Sequence, residues 1–196
     1  MENIQYAIYL RSRSLVGNLY RKYWLYPQLT KCLQGKALDV GCGIGDMLSF
    51  RPSTVDVDIK PHNVSFCKQI GPDGQVTVPD LLPFGDTSFD SVLLDNILDH
   101  KAESIPLLDE IHRVLRPQGV VVIGLPGLRG QTCDSDYKVF YDEIALAAIA
   151  DRNGFEVVNV FHMPFVRSLF LGRHFRQDCI YSLWQLLTAK YAPADT

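Results

Sequence analysis

The segment ALDVGCGIGD, Ala37 to Asp46, limits what this chain can fold into more than any other stretch. A short apolar run ends in glycines at alternate positions, Gly41, Gly43 and Gly45. Glycine tolerates a left-handed backbone and lets a ligand come closer than a Cβ would allow. A buried strand that breaks into such a loop and then a helix is the first unit of an open α/β sheet. The loop reads G-x-G-x-G, and Asp46 stands where the third glycine of a dinucleotide fingerprint would fall. A carboxylate there repels a pyrophosphate, so an NAD-dependent oxidoreductase is disfavoured. A second acid, Asp39, lies inside the strand end. Carboxylates beside this loop suit a ligand with a positive centre or an amino group.

The rest of the chain follows the same alternation. Strands are expected at Val55–Ile59, Gln75–Val78, Phe89–Asp95, Val120–Leu125 and Phe155–Phe161, with a last one at Cys179–Leu187. Helices are expected near Asp46–Phe50, Pro61–Ile70, Glu103–Leu115 and Tyr141–Asn153, and one or two before Pro27. Pro117-Gln118-Gly119 reads as a helix stop and Asn153-Gly154 as another. Strands alternating with helices predict a doubly wound, mostly parallel sheet that binds ligands at the carboxyl ends of its strands. The second strand ends in an acid, Asp58, placed to accept ribose hydroxyls, with Asp56 of the same parity in reserve.

At 196 residues, 47% apolar and 21% charged, the chain can bury a core, which excludes disorder. A net charge of −3 argues against a globally basic nucleic-acid binder. The charge is uneven. Arg11, Arg13, Arg21, Lys22, Lys31 and Lys36 face only Glu2 in residues 1–36, and Arg167, Arg173 and Arg176 make the far end basic, around an acidic middle. Basic ends read as solvated helix faces or as a surface for an anionic substrate or an anionic membrane surface. No apolar run approaches the length of a membrane span, and the first residues carry no secretory pattern, so a cytoplasmic protein is expected. Five cysteines without a Cys-x-x-Cys pair read as reduced thiols, neither a disulfide framework nor a zinc site.

Four ordered motifs, ALDVGCGIGD, VDVDIKP, DLLPFGDTSFDSVLLDNILDH and LLDEIHRVLRPQGVVVIGLPG, resemble the class I S-adenosylmethionine-dependent methyltransferases, and more narrowly their type 11 branch. The resemblance covers residues 36 to about 161. It implies a seven-stranded Rossmann-like sheet in the order 3-2-1-4-5-7-6, with strand 7 antiparallel, and S-adenosylmethionine as cofactor. It implies that Gly41, Cys42, Gly43 and Gly45 line the methionine and ribose portion with Asp39 beneath. Asp58, beside Ile59, would hold the ribose hydroxyls. Asp80 and Leu81 would read adenine, although Asp80 stands closer to Leu82-Pro83-Phe84 than the common pattern has it. Asp95, Asn96 and Ile97 would lie near the sulfonium, and Asp99-His100 matches the common Glu-His pair. The type 11 branch is generally metal-free, so the alternative of Mg²⁺ held by Asp95, Asp134 and Asp136 is disfavoured.

An alcohol acceptor loses a proton during transfer, and histidine is the natural base. The candidate catalytic residues are His100, His162 and His174; Asp134 and Tyr137 are further candidates for a base, and His112 reads as a packed helix residue. A single domain over residues 1–196 is expected, with 1–35 an N-terminal helical lid and 162–178 an acceptor-side insertion. Basic and aromatic ends suggest a sugar or another small polar acceptor, or a glycan, methylated at a hydroxyl. The C-terminal segment LGRHFRQDCIYSLWQLLTAK is similar to methyltransferases of polysaccharide biosynthesis. The alternatives are a quinone, lipid-like or carboxylate metabolite as acceptor, and a non-catalytic methyltransferase-like binding protein.

Overall fold

The computed structural model describes residues 18–19, 21–70, 74–126, 136–162 and 184–191. The chain enters through a π-helical turn, Arg21–Leu25, that runs directly into α1, Tyr26–Cys32. Pro27 does not end this helix. It sits in the first turn of the α-helical part, where a missing N–H costs nothing. The elements that follow are β1 (Ala37–Val40), β2 (Val55–Asp58), α2 (Pro61–Ile70), β3 (Gln75–Val76), β4 (Phe89–Asp95), α3 (Ile105–Val114), β5 (Leu115–Pro126), α4 (Glu143–Arg152), β6 (Phe155–His162) and β7 (Trp184–Tyr191). Single 3₁₀ turns lie at Met47–Ser49 and Leu98–His100.

The strands form one sheet in the order β3-β2-β1-β4-β5-β7-β6. Strands β1 to β5 pair in parallel, and β7 is inserted antiparallel between β5 and β6. This is the expected order. The expected last strand is shifted: it covers Trp184–Tyr191, and residues 179–183 lie outside the described residues. β3 is shorter than expected, with Val78 making only an isolated bridge to Leu81.

Helix α3 ends before Pro117-Gln118-Gly119 as expected, but that tripeptide lies within a strand. Helix α3 stops at Val114, and β5 begins at once with Leu115 opposite Phe89. The pairing then resumes at Ser91 opposite Val120, so residues 116–119 form an excursion inside the strand. Gln118 there takes φ +66°, and a Cβ on Gly119 would meet the Arg116 carbonyl at 2.8 Å.

Alternation along the central strands sorts side chains to the two faces. Val92 and Leu94 of β4 and Val121, Ile123 and Leu125 of β5 pack with Leu107, Leu108, Ile111 and Val114 of α3 and with Leu146 of α4. Leu93, Val120 and Val122 point the other way, onto Leu25, Tyr26, Leu29 and Leu33. The described part of the N-terminal segment is thus a core layer before it is anything else. Burying Leu25 and Leu29 stabilises that layer by roughly 2 kcal/mol each. Helix α4 is capped by Asp142, which accepts from the Ala145 N–H at 2.7 Å. Its partner face is held by Tyr141, whose hydroxyl lies 3.2 Å from Ser104 Oγ. His112 packs edge-on against Phe155, as its helix position predicts.

Candidate functional site

The carboxyl ends of β1, β2 and β4 converge, and the loops leaving them build one site. The β1 loop turns on three left-handed glycines, with φ of +78° at Gly41, +58° at Gly43 and +75° at Gly45. A Cβ on Gly41 would come within 2.1 Å of Ile97 Cδ1, so the loop after β4 closes directly on the loop after β1. The Gly41 and Cys42 amides both donate to the Val57 carbonyl, at 2.8 and 3.1 Å, which ties the loop to β2.

Asp58 finishes that tie. Its carboxylate accepts from the Gly43 N–H at 3.0 Å, the Lys60 N–H at 2.8 Å and the Asn63 side-chain amide at 2.9 Å. An ionised carboxylate has about four lone-pair positions. Three are already used by the protein, so Asp58 offers a ribose one acceptor position where the sequence suggested two. Ile59 and Leu81, which follow β2 and the β3 bridge, are each 54% exposed and present bare apolar surface at this edge. Asp80 adopts φ +61° and pairs with Lys101 at 2.5 Å.

Acids dominate the floor. Asp39 and Asp56 lie directly opposite one another on β1 and β2, and both are buried. Burial, then the nearby charges of Asp56, Asp95, Asp58 and Asp46, holds the Asp39 carboxyl well above the usual range. An isolated negative charge in such a place is costly, and a cationic ligand would relieve it. A sulfonium cofactor therefore fits this floor: the glycines admit it, the acids complement it, and Asp58 keeps one free acceptor.

Beside Asp46 stand residues that the sequence marked only as part of a basic run or not at all. Arg21 is buried at 8% exposure in the π-helical turn. Its guanidinium lies 3.5 Å from the Tyr26 hydroxyl, which donates to Asp46 Oδ2 at 3.1 Å. Tyr26, Asp95 and Asp46 hold the Arg21 pKa up, against the opposing effect of burial. Asn18, Arg21, Lys22, Tyr26, Asp46 and Ser49 line a recess of about 410 Å³ here. The available signal was the basic N-terminal run, but nothing in one sequence says which of its cations turns inward.

Of the histidines, His100 lies at the site. Asn96 takes φ +62° at the end of β4, and its Nδ2 is 3.1 Å from His100 Nε2. The Tyr137 hydroxyl donates to Asn96 Oδ1 at 3.3 Å, and the Tyr137 ring lies 4.9 Å from the His100 ring. Asp99 Oδ2 is 4.0 Å from the same nitrogen of His100. His162 ends β6 opposite Gln185, and its side chain lies outside the described residues, as do His174 and Asp134.

Comparison with known proteins gives three kinds of likeness. Residues 38–123 match the family model described as a methyltransferase domain. The uncharacterized protein MJ0638 of Methanocaldococcus jannaschii is 29% identical over 140 residues; the match covers 68% of this chain and 60% of that protein, so the chain spans little more than half of that relative. The methyltransferase chain of a complex with the Haloferax volcanii Trm112 methyltransferase activator superposes with a TM-score of 0.75 at 16% identity, covering 98% of each chain. A TehB-like S-adenosylmethionine-dependent methyltransferase from Corynebacterium glutamicum does so with a TM-score of 0.68 at 22% identity, covering 97% of this chain and 98% of that one. Identities this low carry the fold, while the family match falls on the strands and loops that form the acidic floor. Residues 38–123 of this chain therefore match a methyltransferase domain, on a fold shared with solved S-adenosylmethionine-dependent methyltransferases.

Proposed function

We propose that the protein transfers a methyl group from S-adenosylmethionine to a hydroxyl of a sugar or another small polar acceptor. The observation that carries this reading is the coincidence of the buried acidic floor with the left-handed glycine loop and with a histidine at the end of β4. The cofactor supplies an electrophilic methyl group on a cationic sulfur. What the chain supplies is alignment, charge and a proton acceptor. Asp39, Asp46 and Asp95 favour the cation when it is bound and favour it less once the charge is lost, which helps release of the neutral product. Gly41, Gly43, Gly45 and Cys42 form the cradle, Asp58 orients the ribose, and Ile59 and Leu81 offer apolar surface to the base. Arg21, beside Asp46, is suited to a carboxylate at the near end of the recess.

His100 is suited to take the acceptor proton. Tyr137 orients the Asn96 amide so that its nitrogen faces the imidazole, which leaves Nε2 as an acceptor. An acceptor hydroxyl that replaces Asn96 at Nε2 meets a base already in the right tautomer. Transfer itself is in-line, and most of its acceleration comes from holding nucleophile, methyl carbon and sulfur in register. His162 and His174 stay as candidates on the acceptor side.

Transfer of radiolabelled methyl groups into a host-cell extract tests the acceptor class. Label in a small polar hydroxylated product or in a glycan fraction supports the reading. Label confined to hydrophobic quinones or to methyl esters moves the activity to the alternative acceptors, and binding of the cofactor without any transfer leaves a binding protein. Among the described residues no helix is long and apolar enough to cross a membrane.

A further inference from the structure

Where the glycine loop meets β2 and α2, Cys42 of the cradle and Asp56 of the acidic floor come together with a third side chain, Cys67. Cys42 leaves β1, Cys67 sits on α2, and Asp56 stands in the middle of β2. They are 25 and 11 residues apart in sequence, so no spacing motif joins them. In the fold their ligand atoms all lie within 4.8 Å of one another. The two sulfurs are 3.1 Å apart, and all three residues are buried, Cys67 fully and Asp56 at 1% exposure.

Asp56 is the telling member. Neither of its oxygens accepts a hydrogen bond from an N–H or O–H among the described residues, and the polar group that faces it is the Cys67 thiol. A buried carboxylate served only by a weak thiol donor is expensive to keep. Burial raises its pKa to about 7, and the hydrogen-bond contact with Cys67, then burial, pushes the Cys42 thiol far above its usual value. Three potential anionic ligands thus point at one another in a place that disfavours their charged forms.

We propose that Cys42, Asp56 and Cys67 bind one divalent metal ion of the zinc class. Two thiolates and a carboxylate are a donor set that such an ion prefers, and its charge reverses the local preference for protonated groups. Two sulfurs bound to one zinc at about 2.3 Å each sit about 3.7 Å apart. From 3.1 Å the pair needs to open by about 0.6 Å, which rotation about the two Cα–Cβ bonds supplies. The Gly43 carbonyl oxygen, 3.7 Å from Cys67 Sγ, or a water is available for a fourth position. Binding releases the two thiol protons, and the carboxyl proton where Asp56 carries one, to solvent, so the ion displaces protons and needs no oxidant. A disulfide would satisfy the sulfurs but remove the one donor that faces Asp56; a cation serves all three groups. The ion would brace the glycine loop against β2 and α2.

The test uses the full, reduced, metal-free chain titrated with Co²⁺, whose bonds to thiolate give a charge-transfer absorption. The expected result is one equivalent bound, with that absorption, proton release on binding, and displacement by Zn²⁺. The band should disappear in Cys67→Ala and binding should weaken at least tenfold in Asp56→Asn. It should persist in a variant with Cys32, Cys133 and Cys179 all changed to Ser. Absence of the band in the wild-type chain overturns the proposal, as does a band that survives Cys67→Ala. Formation of a Cys42–Cys67 disulfide under mild peroxide, with no cobalt bound by the reduced chain, also overturns it. Each readout is independent of methyl transfer, so failure here leaves the proposed reaction standing and the reverse holds too.

Discussion

The Asp58 carboxylate accepts a hydrogen bond from the backbone N–H of Gly43 at 3.0 Å, joining the end of β2 to the middle of the loop after β1. The residue expected to hold the ribose is therefore also the residue that holds the glycine loop in shape. Asp58→Asn replaces one acceptor oxygen with an N–H donor and puts it against Gly43 N–H or Asn63 Nδ2. Affinity for S-adenosylhomocysteine should fall more than tenfold, about 1.4 kcal/mol, by calorimetry. An unchanged affinity would remove Asp58 from the site.

Gly41 allows no side chain. At φ +78° an alanine is strained by about 1–2 kcal/mol, and its Cβ would collide with Ile97 Cδ1. Gly41→Ala should lower both the melting temperature and cofactor affinity. Adding Ile97→Ala should relieve the collision but not the backbone strain, so the double variant should recover only part of the loss. Full recovery would mean that the backbone at Gly41 is not under strain.

If His100 takes the acceptor proton, His100→Gln should reduce kcat by about a hundredfold while leaving cofactor affinity within a few-fold of wild type. Tyr137→Phe, which frees the Asn96 amide to rotate, should cost less, and its pH–rate profile should change on the acid limb. Equal losses in kcat and in cofactor affinity for His100→Gln would assign the ring a purely structural part.

Arg21 and Tyr26 face Asp46 across the recess. Arg21→Met keeps much of the apolar volume and removes the cation. Cofactor binding should weaken and lose part of its salt dependence. Binding that is unchanged at both low and high salt would place the cofactor away from this recess.

Acid stability has an identifiable source. Arg113 donates to Glu110 at 2.8 and 2.7 Å, and the same guanidinium reaches the carbonyls of Leu82 and Phe84. The hydrogen bond from Arg113 holds the Glu110 pKa below its usual value. A carboxyl depressed in the folded state stabilises above its unfolded pKa, and that contribution fades as pH falls through the folded value. Glu110→Gln should therefore cost about 1 kcal/mol near neutrality and nothing at the acid end, read from urea midpoints across that range. Parallel urea-midpoint curves for wild type and variant would show that the pair does not set the acid limb.

The motif strings carried the family resemblance, and the sheet order it implies is the one observed. Glycines at alternate positions after a short apolar run marked the tight loop after β1, which the structure turns on three left-handed glycines. The bounds of α2 and β4 were legible because each is closed by strong local signals, Pro61 before one and the polar Asp95-Asn96 step after the other. Local signals were incomplete where tertiary pairing added to them. Pro117-Gln118-Gly119 does follow the end of α3, yet pairing of Leu115 with Phe89 and of Val120 with Ser91 carries β5 on both sides of it.

The sequence by itself determined the alternation of strands and helices and the glycine loop, because those depend on local backbone freedom and on the pattern of burial; the order of the strands followed from the family its motifs resemble. Only the tertiary structure decided which charges meet. Arg21 reaches Asp46 through Tyr26, Glu110 and Arg113 clamp the Leu82–Phe84 turn, and Cys42, Asp56 and Cys67 gather where the loop meets β2 and α2. These contacts join residues from separate elements, and their energies come from burial and mutual distance, which exist only once the sheet has closed around them.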